Sequence, residues 1–311
     1  LPFGLVRFAL AGLTAAGLGA PATTTAAAAG DTPPCQGTVF LTFDTGNMAQ
    51  AELIARILAE EGVRATFFLA NERTVRGDHA LDDGWGGYWR ARAAEGHVFG
   101  NHTWSHFYAR RDLEDGRLLV VDAAGRERRL DQREFCAELS KVDEAFRRLT
   151  GQRLAGLWRA PGGRVTQRSL RWAAACGYPV HVHWDEAGFL GDELPSEKYP
   201  NALLLKRALE NIAPGDILLM HLGVWSRKDP LAPILKPLIQ GLKARGLCFG
   251  TLEASKRAER RLDRTGARTE ADGATARELR RVARWSTHYL IAMPFAGRSE
   301  AAGTWDGRTG L

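Results

Sequence analysis

The sequence predicts an α/β fold on a parallel sheet, closed or nearly closed into a barrel, and three observations carry that prediction. Short apolar runs rich in β-branched and aromatic residues alternate with longer segments of helical apolar period. Glycines stop several of the helical segments, at Gly62, Gly151 and Gly177. The chemically distinctive side chains each fall just after a strand, at the rim where α/β barrels keep their sites. With 311 residues and 45% hydrophobic content the chain can bury one sizeable core, as a single domain of about 200 to 250 residues does.

In chain order, residues 38–43 (Thr-Val-Phe-Leu-Thr-Phe) read as a buried strand ending at Asp44. Leu53, Ile54, Ile57 and Leu58 recur at helical spacing, and residues 65–69 give a second buried strand, completing a βαβ unit. A glycine-rich loop over 71–90 leads into a helix around 88–95, and residues 97–101 form a short strand. A polar, hairpin-like stretch covers 112–129, an amphipathic helix 132–149 and a strand stub 157–159. Helix at 170–175, strand at 180–184, helix at 202–212, strand at 216–220, helix at 234–244 and strand at 247–252 complete the alternation.

Both ends differ from this body. Arg7 precedes a charge-free apolar stretch over 8–20, too short to span a membrane, and small residues follow to Gly30. Residues 1–29 are therefore expected to be a signal peptide that exports the protein to the periplasm or the medium. The folded body is expected over 30–254, and 255–311 as a basic, disordered tail. From Lys256 onward twelve Lys/Arg stand against seven Asp/Glu, so the tail holds most of the net charge of +6. The body is near neutral and shows no basic stripe interleaved with aromatics, which argues against nucleic acid as substrate. The four cysteines, Cys35, Cys136, Cys176 and Cys248, have no CxxC spacing. Two readings stand: a Cys35–Cys248 bridge, if a barrel brings the first and last strands together, or four buried free thiols.

Five side chains carry the chemistry. His102 and His106 lie four apart in His-Thr-Trp-Ser-His, which on one helical turn puts two imidazoles on one face, near enough to share a divalent ion. Neutral imidazole suits zinc and its neighbours. Asp44, followed by Gly46, can be turned to the rim as a general base or can cap the next helix. Arg159 precedes Pro161, Gly162 and Gly163, and its fork can hold Asp44 ionised and in one orientation. His221 leaves a buried strand, either as a core histidine or as the general acid a base needs for a partner.

In this order and spacing the motifs resemble the polysaccharide deacetylase family, carbohydrate esterase family 4 or NodB homology domain, over residues 38–253. Thr42-Phe43-Asp44-Thr45-Gly46 matches its Thr-Phe-Asp-Asp-Gly motif, His102 and His106 its histidine motif, Arg159 to Gly163 its Arg-x-Pro-x-Gly motif, and Leu219-Met220-His221 its late histidine element. The resemblance implies a distorted (β/α) barrel and metal-dependent removal of N- or O-acetyl groups from a glycan. It implies Asp44 as base, His221 as acid, a zinc-like ion on His102 and His106, and an oxyanion contact from the backbone near Gly162. Thr45 stands where a second aspartate would ligate the ion, so a charged ligand is lost. The motif that orients the acid histidine is only partly present, in His183-Trp184-Asp185-Glu186, with Asp185 the candidate. Trp225, with Trp85, Tyr88, Trp89 and Trp104, can stack on sugar faces or anchor packing. Other readings are a glycan- or partner-binding member without activity, and a deformylase or other sugar-amide hydrolase.

Overall fold

The first strand, β1 (Gly37–Asp44), is buried at every residue but Thr38, as befits a strand covered on both faces. It is the axis of the fold in this computed structural model, which describes residues 35–252. Helix α1 (Ala51–Glu60) buries Ile54, Ile57 and Leu58, and β2 (Thr66–Leu69) is buried throughout. After α2 (Gly86–Ala94) comes β3 (Val98–Asn101). Phe43, Phe67 and Phe99 sit in register on these three strands. Their rings stack with centroids 5.4 and 5.6 Å apart. Trp85, Tyr88 and Trp89 meet edge to face beside them, and Trp85 and Trp89 are 1% and 0% exposed. These three aromatics anchor the core and face no sugar.

The stretch expected as a single polar hairpin is instead a three-stranded antiparallel sheet, β4 (Tyr108–Asp112), β5 (Leu118–Val121) and β6 (Glu127–Leu130). Its centre, Leu-Leu-Val-Val, is fully buried; Leu118 and Val120 join a second core with Phe135 and Trp158. Helix α3 (Gln132–Thr150) starts on a capping box between Asp131 and Glu134 and stops at left-handed Gly151. It buries Phe135, Leu139, Val142, Phe146 and Leu149, each worth about 1.5–3 kcal/mol relative to exposure.

The chain continues through β7 (Leu157–Trp158), α4 (Gln167–Ala175) and β8 (Val180–His181). β8 is shorter than the strand expected at 180–184. The Arg159 side chain supplies the reason: its Nε and Nη2 donate to the carbonyls of Val182 and His183, which a longer strand would offer to a neighbour. α5 (Asn201–Asn211), β9 (Ile217–His221), α6 (Leu235–Ala244) and β10 (Leu247–Phe249) complete the body. The parallel sheet runs β10-β1-β2-β3-β7-β8, with β9 also paired to β1. A parallel bridge from Phe189 to Leu219 brings the chain beyond β8 back against β9. The sheet therefore curls into a half-barrel whose carboxyl ends gather at one rim. The expected signal peptide at 1–29 and tail at 255–311 lie outside the described residues, among which no helix is long and apolar enough to cross a membrane.

Two disulfides close the body. Cys35–Cys248 ties β10 to the chain entering β1, and Cys136–Cys176 ties α3 to the end of α4, so no cysteine is free. The first is one of the two sequence readings realised; the second joins helices whose packing the cysteine spacing does not reveal. The bridges span 213 and 40 residues. Chain-entropy arguments give them about 5 and about 4 kcal/mol. Reduction is expected to lower Tm by roughly 10 °C or more; calorimetry with and without reductant checks this, and an unchanged Tm would dismiss the bridges.

Candidate active site

Strand register does most of the assembly. Asp44 pairs with His221 across β1 and β9, and with Phe68 across β1 and β2. Asn101 pairs with Leu69 on one side and Trp158 on the other, so His102 and Arg159 leave their strands at the same level. One more left-handed turn is needed, at Gly46, with φ +60°, where a Cβ would collide with the Gly223 carbonyl.

Asp44 and Arg159 form a buried pair, 2% and 0% exposed. Arg159 Nη1 donates to Asp44 Oδ1 at 2.8 Å, Nη2 donates to Thr42 Oγ1 at 2.9 Å, and the guanidinium lies 4.2 Å over the Phe68 ring. Burial pushes the Asp44 carboxyl up, but Arg159, then His102 and His221, outweigh it and hold it below the usual carboxylate range. Burial pulls Arg159 down while Asp44 pulls it up; guanidinium is too basic for that to discharge it. Asp44 is thus an ionised carboxylate with Oδ2 turned to His102 Nε2, 3.4 Å away.

His102 Nδ1 stands 2.8 Å from the carbonyl of Arg159. A carbonyl only accepts, so Nδ1 carries the proton and Nε2 presents a lone pair. Burial lowers the His102 pKa to about 4, so the ring is neutral. The His106 ring lies 4.9 Å from that of His102. The expected helical turn is absent. Asn101 Oδ1 accepts from Thr103 N–H, Glu138 Oε2 accepts from Ser105 N–H, and Thr103 and His106 take φ of +65° and +49°. A β-branched residue in that region is strained by about 1–3 kcal/mol, and such strain gathers at functional sites.

His221 is held by a carboxylate that the sequence motifs do not single out. Its Nδ1 lies 3.2 Å from both oxygens of Asp192, and the His221 backbone N–H donates to Asp192 Oδ2 at 2.6 Å. Burial would lower its pKa, yet Asp192 first and then Asp44 raise it to about 10. Asp185, expected in that role, instead accepts from Ile217 N–H at 2.8 Å, at the opposite end of β9. The two candidates lie seven positions apart, and only the fold decides between them. Glu72 is likewise unmarked by any motif: Oε2 accepts from Thr45 Oγ1 and from Gly46 N–H, each at 2.7 Å, and Oε1 lies 4.0 Å from His106 Nε2. It comes just past β2, so the rule that flags Asp44 and His102 would have found it. Burial pushes its carboxyl up, but the two histidines and these hydrogen bonds hold it low.

Asp44, His102, His106 and His221 open into a cleft of about 460 Å³, walled by Tyr108 and Arg110 of β4, by Gly162 and Arg164, and by Trp184 and Glu193. Trp225 does not line it and is 68% exposed. A larger cavity of about 760 Å³ is lined by Asp185, Arg207 and Asp216 but by no histidine, so chemistry rather than volume selects the site.

The donor set suits a divalent ion. Two lone-pair atoms facing each other, His102 Nε2 and Asp44 Oδ2, need a cation or a proton donor between them. Among the described residues no three His, Cys, Asp or Glu side chains form a ready-made metal cage. The His106–Glu72 separation of 4.0 Å is close to the spacing an ion imposes, about 3.4 Å for two donors on one tetrahedral centre.

A family model described as polysaccharide deacetylase matches residues 31–181. A peptidoglycan-N-acetylglucosamine deacetylase of Bacillus cereus is 26% identical over 215 residues, which cover 69% of this chain and 66% of that protein's length. The crystal structure of a peptidoglycan N-acetylglucosamine deacetylase in complex with a naphthalenyl N-oxidanyl-benzamide matches with TM-score 0.54 and 26% identity, covering 71% of this chain and 89% of the other. A family 4 carbohydrate esterase pseudoenzyme from Bacillus anthracis matches with TM-score 0.52 and 20% identity, covering 71% and 66%; that likeness is one of fold.

Proposed function

The chain belongs to the polysaccharide deacetylase family, and from that premise we propose that it is a divalent-metal-dependent hydrolase removing N-acetyl, or O-acetyl, groups from a poly- or oligosaccharide outside the cytoplasm. One observation carries the reading: Asp44 and His221 stand side by side on adjacent strands, and each has its own partner of complementary charge, Arg159 beside Asp44 and Asp192 beside His221.

A bound zinc ion, with His102 and His106 as its nitrogen ligands, would supply Lewis-acid polarisation and a water of lowered pKa. The chain's own groups do the rest. Asp44 Oδ2 takes the proton from the attacking water, and Arg159 keeps that oxygen ionised and aimed. The Gly162 backbone in the cleft wall faces the developing oxyanion. His221 Nε2 gives its proton to the departing amine, with Asp192 fixing Nδ1. Tyr108 and Trp184 flank the cleft as platforms for sugar faces. The two disulfides support an oxidising compartment, in line with export.

Thr45 favours one rival, a glycan- or partner-binding member that does not hydrolyse. Zinc-loaded protein incubated with chitin oligomers, peptidoglycan and acetylated exopolysaccharide decides: acetate release on at least one is expected. Binding without release of acetate from any of them would leave the rival standing, and formate release from formylated sugars would move the activity to a deformylase.

A further inference from the structure

Thr45 removes a carboxylate from the ion's side of the site, and the fold returns one from the loop after β2. We propose that Glu72 is the anionic metal ligand of this chain, standing in for the side chain that residue 45 lacks, so that the ion-holding set is Glu72, His102 and His106. This rests on the metal-dependent reading above and specifies it.

The geometry is built for that substitution. Glu72 follows β2, whose strand neighbour β1 delivers Thr45. The Thr45 hydroxyl is fully buried, accepts from Ala70 N–H at 3.1 Å and donates to Glu72 Oε2 at 2.7 Å. Gly46 N–H donates to the same oxygen at 2.7 Å. Two donors from the 45–46 turn thus pin one carboxylate oxygen beside the place a carboxylate on residue 45 would occupy. The other oxygen, Oε1, is left facing His106 Nε2 at 4.0 Å. Glu72 also supplies charge: the Asp44 carboxylate is matched by Arg159, and Glu72 is the carboxylate that stands nearest His106. Neutral donor at 45 and acceptor at 72 are complementary. An aspartate at 45 would set two carboxylates at the spacing now taken by one hydrogen bond, which like charges do not tolerate.

That complementarity gives the test. Zinc affinity is measured by calorimetry against a competing chelator, and the cobalt-loaded protein by visible absorption, for wild type, Glu72→Gln, Thr45→Asp and the double variant. Glutamine keeps an acceptor for Thr45 and Gly46 and removes the charge. Glu72→Gln is expected to lose at least about 100-fold in zinc affinity, more than the loss from removing a group that only orients a ligand, with an altered cobalt spectrum. Thr45→Asp alone is expected to bind no more tightly than wild type, whereas Thr45→Asp in the Glu72→Gln background recovers affinity to within about tenfold of wild type. Glu72→Asp, which keeps the charge but shortens the reach, is expected to change the cobalt spectrum as well. Unchanged affinity and spectrum in Glu72→Gln would overturn the proposal and reduce Glu72 to a brace for the turn. Equal tightening by Thr45→Asp with and without Glu72 would overturn it too. Wild type that takes up no zinc or cobalt would remove the metal-dependent reading and this proposal together, which separates the two failures.

Discussion

Asp44→Asn lowers kcat/KM by about 10⁴-fold, at the upper end of what a positioned general base contributes. The substituted asparagine would still reach Arg159 with its amide oxygen, so substrate binding should change little and the loss should fall on kcat. The variant carries a second cost. Arg159 is 0% exposed, packed on Phe68 and paired with Asp44 at 2.8 Å. Neutralising Asp44 leaves that guanidinium buried without its counter-charge, a change worth about 3–5 kcal/mol of stability in buried pairs. Activity must therefore be read well below the variant's own melting temperature. Acetate-release kinetics together with thermal melts check both parts. A variant that keeps more than a tenth of wild-type kcat while its Tm falls would leave the pair structural and Asp44 without a catalytic role.

The same two residues show what is legible in a sequence of this kind. Asp44, His102, Arg159 and His221 could be read because each terminates an apolar run, and parallel strands that start at one end finish at the other. Register then converts position along the chain into proximity: Asp44 opposite His221, and Asn101 between Leu69 and Trp158. What could not be read lies in loops, where no period ties sequence to space. His102 and His106 do converge, yet through two left-handed residues and the braces from Asn101 and Glu138 rather than through a helical turn. Asp192 sits in a turn, and the local motif that pointed to Asp185 belongs to a segment whose carboxylate caps the far end of β9. The antiparallel sheet over 108–130 was legible only as a hairpin-like stretch over 112–129, because its outer strands are polar, although Tyr108 and Arg110 from it wall the cleft.

Asp192→Asn tests the acid side of the site through pH. In the wild type Asp192 and Asp44 overcome burial and hold His221 protonated to about pH 10. The acid must be protonated and the base ionised. kcat/KM should therefore rise through an acid limb below the usual carboxylate range, stay level across neutrality and fall only near pH 10. Asparagine keeps the size of the side chain but removes the charge that raises the imidazole pKa. What remains is burial, the largest single effect, which lowers it, against the weaker help of Asp44 and Glu193. The alkaline limb then moves down to the ordinary histidine pKa of about 6.5 or below. At about pH 8 a ring with that pKa is protonated only about 3% of the time, so the variant should be about 30-fold slower there and recover substantially as pH is lowered towards about 6. His221→Ala is expected to lose about 10²–10⁴-fold without such recovery, since no acid is left to protonate. Profiles of kcat/KM from about pH 5 to about pH 10.5 for the three proteins decide the matter: an Asp192→Asn limb still near pH 10 would mean that His221 is not the proton donor whose state the limb reports.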